Sequence, residues 1–125
     1  MKYNESSEDY LEAILVLSES RPVVRGVDIA EHMGFKKSSV SVGMKNLREK
    51  GHITVTKEGF IYLTETGKEI AEMIYDRHQT ISKGLMLLGV SEDIALEDAC
   101  KIEHVISPES FLAVKEYIVR HTPQN

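Results

Sequence analysis

Apolar residues recur about every 3.6 positions along most of this chain, with one interruption near its middle where the period drops to two. In YLEAILVLSES, Leu11, Ile14, Leu15 and Ser18 share one helical face behind a Ser6/Asp9 capping box, which predicts a helix over about 7–20. Arg21-Pro22 stops it, and Val23–Arg25 predict a short extended piece. VDIAEHM then repeats apolar positions at helical spacing, and Gly34 suits its C-terminal cap. The segment KSSVSVGMKNLREKG places Val40, Met44 and Leu47 on one face, with Ser39, Lys45 and Arg48 away from it, and Gly51 ends that helix. Across residues 52–63 Ile53 and Val55 face one way, and Ile61 and Leu63 can pair with them around a Lys57-Glu58-Gly59 turn. Thr64 caps a long helix running to about Gly89, which Gly67 and Gly84 weaken slightly. Ser91 opens a helix over 92–106, Ser107-Pro108 announces a last one through about residue 121, and TPQN is expected to fray.

Helix, helix, helix, two-stranded ribbon, then helices is the order of a winged helix-turn-helix followed by an all-helical extension, a mainly α chain. The division is expected near Thr64, with a DNA-binding domain over 1–64 and a helical metal-binding and dimerisation domain over 65–125. The second part, about 60 residues, is small for a self-sufficient core. Its surplus of Leu, Ile and Met on the 64–88 and 108–120 helices points to burial against a second copy, a homodimer. With 125 residues, no Trp and 6% aromatics, aliphatic side chains must supply the core. The single cysteine, Cys100, excludes an intramolecular disulfide, makes a structural zinc finger implausible and fits a reducing compartment. MKYNESSEDY lacks a hydrophobic signal segment and no apolar run approaches the roughly 18 residues of a membrane span. A cytoplasmic protein without a membrane partner is the expectation.

Charge changes this picture more than composition does. The chain carries a formal −5, yet residues 21–57 hold eight basic residues against three acidic ones, a local +5 that leaves −10 for the remainder. An acidic total therefore hides a basic module. A helix beginning at Lys36, Lys37, Ser38, Ser39 and Ser41, with Lys45 and Arg48 further along, offers ammonium groups, hydroxyls and a positive dipole end to DNA phosphates and base edges. Arg25 and a wing lysine, Lys57, extend the same candidate surface for double-stranded DNA. A winged helix can equally serve as a metal-independent regulator or a protein-interaction module, which remains the alternative.

A second constellation lies outside the basic block. Asp9 and Glu12 are three apart on the first helix, Cys100, Glu103 and His104 sit at i, i+3 and i+4 on the fifth, and His78 lies on the long helix between them. Two imidazoles, a thiol and three carboxylates select a divalent transition metal over calcium. Each also has an ordinary alternative: a small buried cysteine, a surface histidine, acidic residues favoured by a helix N-terminus. Carboxylate–histidine metal sites can activate water. No His-Glu-x-x-His helix, nucleophile elbow or phosphate loop is present, so neither an enzyme nor a small-molecule substrate is expected.

EDYLEAILVL, DIAEHMGFKKSSVSVGMKNLREKGHI, LTETGKEIA and above all RHQTISKGLMLLGV followed by EDACKIEHVIS resemble the diphtheria toxin repressor and manganese transport regulator family over about residues 5–120. The resemblance implies a homodimeric repressor of metal-uptake genes, activated by Mn²⁺ or Fe²⁺, with Co²⁺ or Zn²⁺ able to substitute in vitro. It implies Asp9, Cys100, Glu103 and His104 at one metal position, and Glu12 and His78 at a second that Glu103 bridges. It further implies a short, manganese-type member without the extra C-terminal domain of the longer iron-responsive ones. The chain departs from both patterns: iron-type members usually have methionine where Asp9 stands, and manganese-type members a carboxylate where Cys100 stands. Hard Asp9 favours Mn²⁺, whereas thiolate Cys100 favours Fe²⁺, Co²⁺ or Zn²⁺.

Overall fold

The computed structural model describes residues 5–123, with the side chains of Glu5 and Ser6 outside the description. Two compact units divide between Met73 and Ile74. The elements are α1 (Glu5–Ser20), α2 (Gly26–Met33), α3 (Lys37–Glu49), β1 (Ile53–Val55), β2 (Ile61–Leu63), α4 (Glu65–Leu87), α5 (Glu92–Ile102) and α6 (Pro108–His121). The mainly helical, winged helix-turn-helix expectation is thus met. No helix among the described residues is long and apolar enough to cross a membrane.

The first unit builds its core from the apolar stripes the periodicity marks. Leu11 and Ile14 of α1, Ile29 of α2, Val40 and Leu47 of α3 and Ile53 of β1 are all within 2% of complete burial. Burying side chains of this size contributes about 1.5–3 kcal/mol each before entropy is counted. α1 already runs from Glu5, so Ser6 lies inside it and is not its cap. α2 stops where the N–H groups of Gly34 and Phe35 both return to the Ala30 carbonyl. The wing is the predicted antiparallel pair, with Ile53 opposite Leu63 and Val55 opposite Ile61. Its turn is closed by Thr56 and Phe60, whose backbones bond at 2.9 Å while the Thr56 hydroxyl accepts from the Phe60 N–H. Val23–Arg25 do not form a strand. Among the described residues their one backbone hydrogen bond to the wing is at the Val24 carbonyl, which accepts from Ile61 N at 2.8 Å, because Pro22 precedes and α2 begins at Gly26.

The second unit holds the rest of α4 with α5 and α6. Ile81, Ala99 and Phe111 form a small core, flanked by Leu85, Ile102 and Ile106. Thr64 caps α4 as expected, its hydroxyl accepting from Gly67 N, and Ser107 caps α6 by accepting from Ser110 N ahead of Pro108. α4 ends at Leu87, with Leu88 and Gly89 in a turn. The expected helix over 92–106 is shorter: α5 ends at Ile102, and residues 103–106 form a turn. Pro108 holds Ser107 extended, at ψ 156°, so the helical path cannot run through it. The fraying expected for 122–125 falls partly on residues 124–125, outside the description.

Candidate metal centre and nucleic-acid interface

α4, α5 and the turn after α5 present four of the six predicted ligands within the second unit. Glu103 follows the last helical residue of α5 as its C-cap, in helical geometry at φ −55° and ψ −26°, and its N–H still bonds to the Ala99 carbonyl at 2.9 Å. That geometry preserves the i, i+3 relation to Cys100, whose Sγ lies within 4.8 Å of a Glu103 carboxylate oxygen. From α4, His78 places Nδ1 2.8 Å from Glu103 Oε2. His104 puts Nε2 3.4 Å from Oε1 of the same carboxylate. Glu103 and His104 are buried, His78 is half-buried and Cys100 is exposed. Burial pushes the His104 imidazole below its ordinary value, a shift toward the neutral form that has a lone pair to offer.

A buried carboxylate flanked by two imidazoles and a thiol is a nitrogen, oxygen and sulfur donor set, and that set fits a divalent transition cation. Asp9 and Glu12 lie on α1 in the first unit, both half-buried and three residues apart.

All nine residues predicted for DNA contact are exposed. Lys37, Ser41, Lys45 and Arg48 line one groove of about 340 Å³ between α3 and the wing, together with Gly26 and Gly59. Ser38, Ser39 and Lys36 belong to the start of α3 outside that groove, and Lys57 stands at the wing turn. Arg25 precedes α2, its N–H donating to the Asp28 carboxylate at 2.9 Å and its guanidinium 4.8 Å above the Phe60 ring. Phe60 was not singled out by the sequence pattern; an aromatic two residues past the wing tip was its only signal. Tyr10 was also missed as a support. Its ring packs on the backbone of α3 at Gly43 and edge-on to Phe35, and its hydroxyl lies 3.5 Å from the Ser39 carbonyl.

Residues 2–59 match the N-terminal DNA-binding domain of the iron-dependent repressors, and residues 64–122 match their metal-binding and dimerisation domain. The chain belongs to the iron-dependent repressor family. Among similar members is a helix-turn-helix-type transcriptional regulator of Methanocaldococcus jannaschii, 36% identical over 117 residues, covering 92% of this chain and 94% of that protein. The transcriptional regulator MntR of Escherichia coli is 32% identical over 114 residues, covering 91% of this chain and 74% of its own length. Of solved structures, the manganese regulator SloR superposes with a TM-score of 0.82 at 29% identity, over 95% of this chain and 55% of that one. A manganese-dependent transcriptional repressor complexed with manganese gives 0.83 at 26% identity, over 90% and 52%. This iron-dependent repressor family member thus spans about half the length of those two solved chains.

The second unit also carries an apolar cavity of about 580 Å³ lined by α4, α5, α6 and their connecting turns, including Ile81, Leu88, Val114 and Tyr117. Leu88 is 80% exposed and Tyr117 62%. Apolar side chains this exposed are what a helical unit offers to a partner.

Proposed function

We propose that the protein is a homodimeric, metal-activated transcriptional repressor that binds operator DNA, with Mn²⁺ or Fe²⁺ as the activating cation and metal-uptake or metal-homeostasis genes as targets. The observation that carries the reading is the Glu103 carboxylate held between His78 and His104 with Cys100 alongside, in the part of the chain related to a metal-binding domain. Residues 1–64 would read DNA and residues 65–125 would bind metal and dimerise. Arg25, Lys36, Lys37, Ser38, Ser39, Ser41, Lys45, Arg48 and Lys57 are the proposed DNA contacts. Lysine and arginine there neutralise phosphates, and the serines at the start of α3 donate to phosphate or base edges. The proposed repressor would act in the cytoplasm, and no catalytic role is proposed.

Asp9, Cys100, Glu103 and His104 are proposed as one ligand set, and Glu12, His78 and the shared Glu103 as a second. When bound, a divalent cation supplies the positive charge that offsets these carboxylates and the thiolate. Without it, the like charges of Asp9, Glu12 and Glu103 would oppose their gathering around one site. Ligands drawn from both parts of the chain make the reading head's placement depend on occupancy, and the population shifts toward the DNA-competent dimer by the differential affinity of the two states.

The test is operator affinity at fixed salt with and without Mn²⁺ or Fe²⁺. Tighter binding with metal is expected, and Glu103→Ala should erase the difference. Equal affinities in the parent protein would leave a metal-independent winged-helix regulator as the better reading.

A further inference from the structure

We propose that Arg77 is a positioning residue for the cation site, a buried guanidinium that fastens the turn bearing Glu103 and His104 to the helix bearing His78. The inference rests on the metal reading above. α5 ends at Ile102, so the carbonyls that follow have no helical donors and must find them elsewhere. Arg77 supplies them: its Nη1 donates to the Glu103 carbonyl at 3.1 Å and to the Ile106 carbonyl at 2.8 Å.

The cost of this arrangement argues for a purpose. Arg77 is only 7% exposed, and its Nε has no hydrogen-bond partner among the described residues. Burying a guanidinium that is incompletely satisfied is unfavourable. The Phe111 ring 5.4 Å away and the negative end of the α5 dipole offset part of that cost. A hydrophobic residue would fill the same space without the penalty, but it could not hold two carbonyls.

What those carbonyls hold in place is the donor set. Glu103 is gripped at both ends from neighbouring residues of α4, its carboxylate by His78 and its carbonyl by Arg77. His104 lies between the two fastened carbonyls in sequence, so its backbone is bracketed as well. Fixing ligand-bearing backbone in advance lowers the entropy lost on cation binding, and supports of this kind are worth about 10- to 100-fold in metal affinity.

Co²⁺ titration of the full chain tests this, because a thiolate-to-cobalt charge-transfer band and the d–d bands report both occupancy and ligand geometry. Arg77→Met should weaken Co²⁺ binding about 10- to 100-fold and alter the d–d bands, with helical circular dichroism retained. Arg77→Lys, which keeps a cation able to reach one carbonyl, should recover part of the loss. A folded Arg77→Met with parental affinity and spectrum overturns the positioning role alone. If Arg77→Met fails to fold, Arg77→Lys decides: weaker Co²⁺ binding at a parental melting temperature supports the role, and parental affinity overturns it. Failure of the parent chain to bind Co²⁺ overturns the metal reading and this inference with it.

Discussion

Cys100 is exposed at the end of a helix whose next functional residue, Glu103, is buried, and it brings one sulfur where a carboxylate would bring two oxygens. Thiolate ligands favour softer cations, so Cys100→Glu should shift a metal-by-metal DNA-binding titration toward Mn²⁺ and away from Co²⁺ and Zn²⁺. An unchanged order of metals would remove the thiol from the account. At Gly43 the argument is steric. A Cβ there would overlap the Tyr10 ring, so Gly43→Ala should destabilise the first unit by about 1–3 kcal/mol in urea unfolding, although alanine is the better helix former. Equal or greater stability would show that Tyr10 can step aside. Gly67 had looked in the sequence like a mere weakness in a helix. In the structure a Cβ at that position would collide with the His52 carbonyl, a close approach between the wing and α4 that no local pattern reveals.

α3 is the element on which the DNA reading depends, and its buried face of Val40, Met44 and Leu47 leaves Lys37, Ser41, Lys45 and Arg48 lining the groove beside the wing. Lys45→Ala should weaken operator binding at every metal concentration and reduce the slope of log affinity against log salt by about one. A loss seen only in the absence of metal would contradict a phosphate-contact role. Elements with a strong stripe and a marked cap, such as α3, α6 and the wing, were legible in the sequence, because local spacing and turn residues decide them. The end of α5 was not. Cys100, Glu103 and His104 keep helical spacing, so periodicity runs on to Ile106, whereas the stop comes from Pro108 and from a guanidinium 26 positions upstream of Glu103. The proposed ligand residues could be picked out in the sequence only as a set of donor types. That Glu103 would be their buried centre was not legible, since burial is a property of the packed chain.

The whole molecule shows two kinds of surface that a single folded chain does not use up. One is the apolar cavity of the second unit with Leu88 and Tyr117 exposed beside it, consistent with the dimerisation domain its sequence matches. Leu88→Glu should convert a dimer into monomers in sedimentation velocity while helical circular dichroism persists; an unaffected dimer would move the interface elsewhere. The other is the basic block of residues 21–57 set in a chain of formal charge −5. If the chain binds DNA as proposed, the attraction would come through that block and, like the repulsion from the acidic remainder, would be screened over about 8 Å at physiological salt. On the proposed reading, retention on random sequence would rest on that block alone and fall steeply as salt rises.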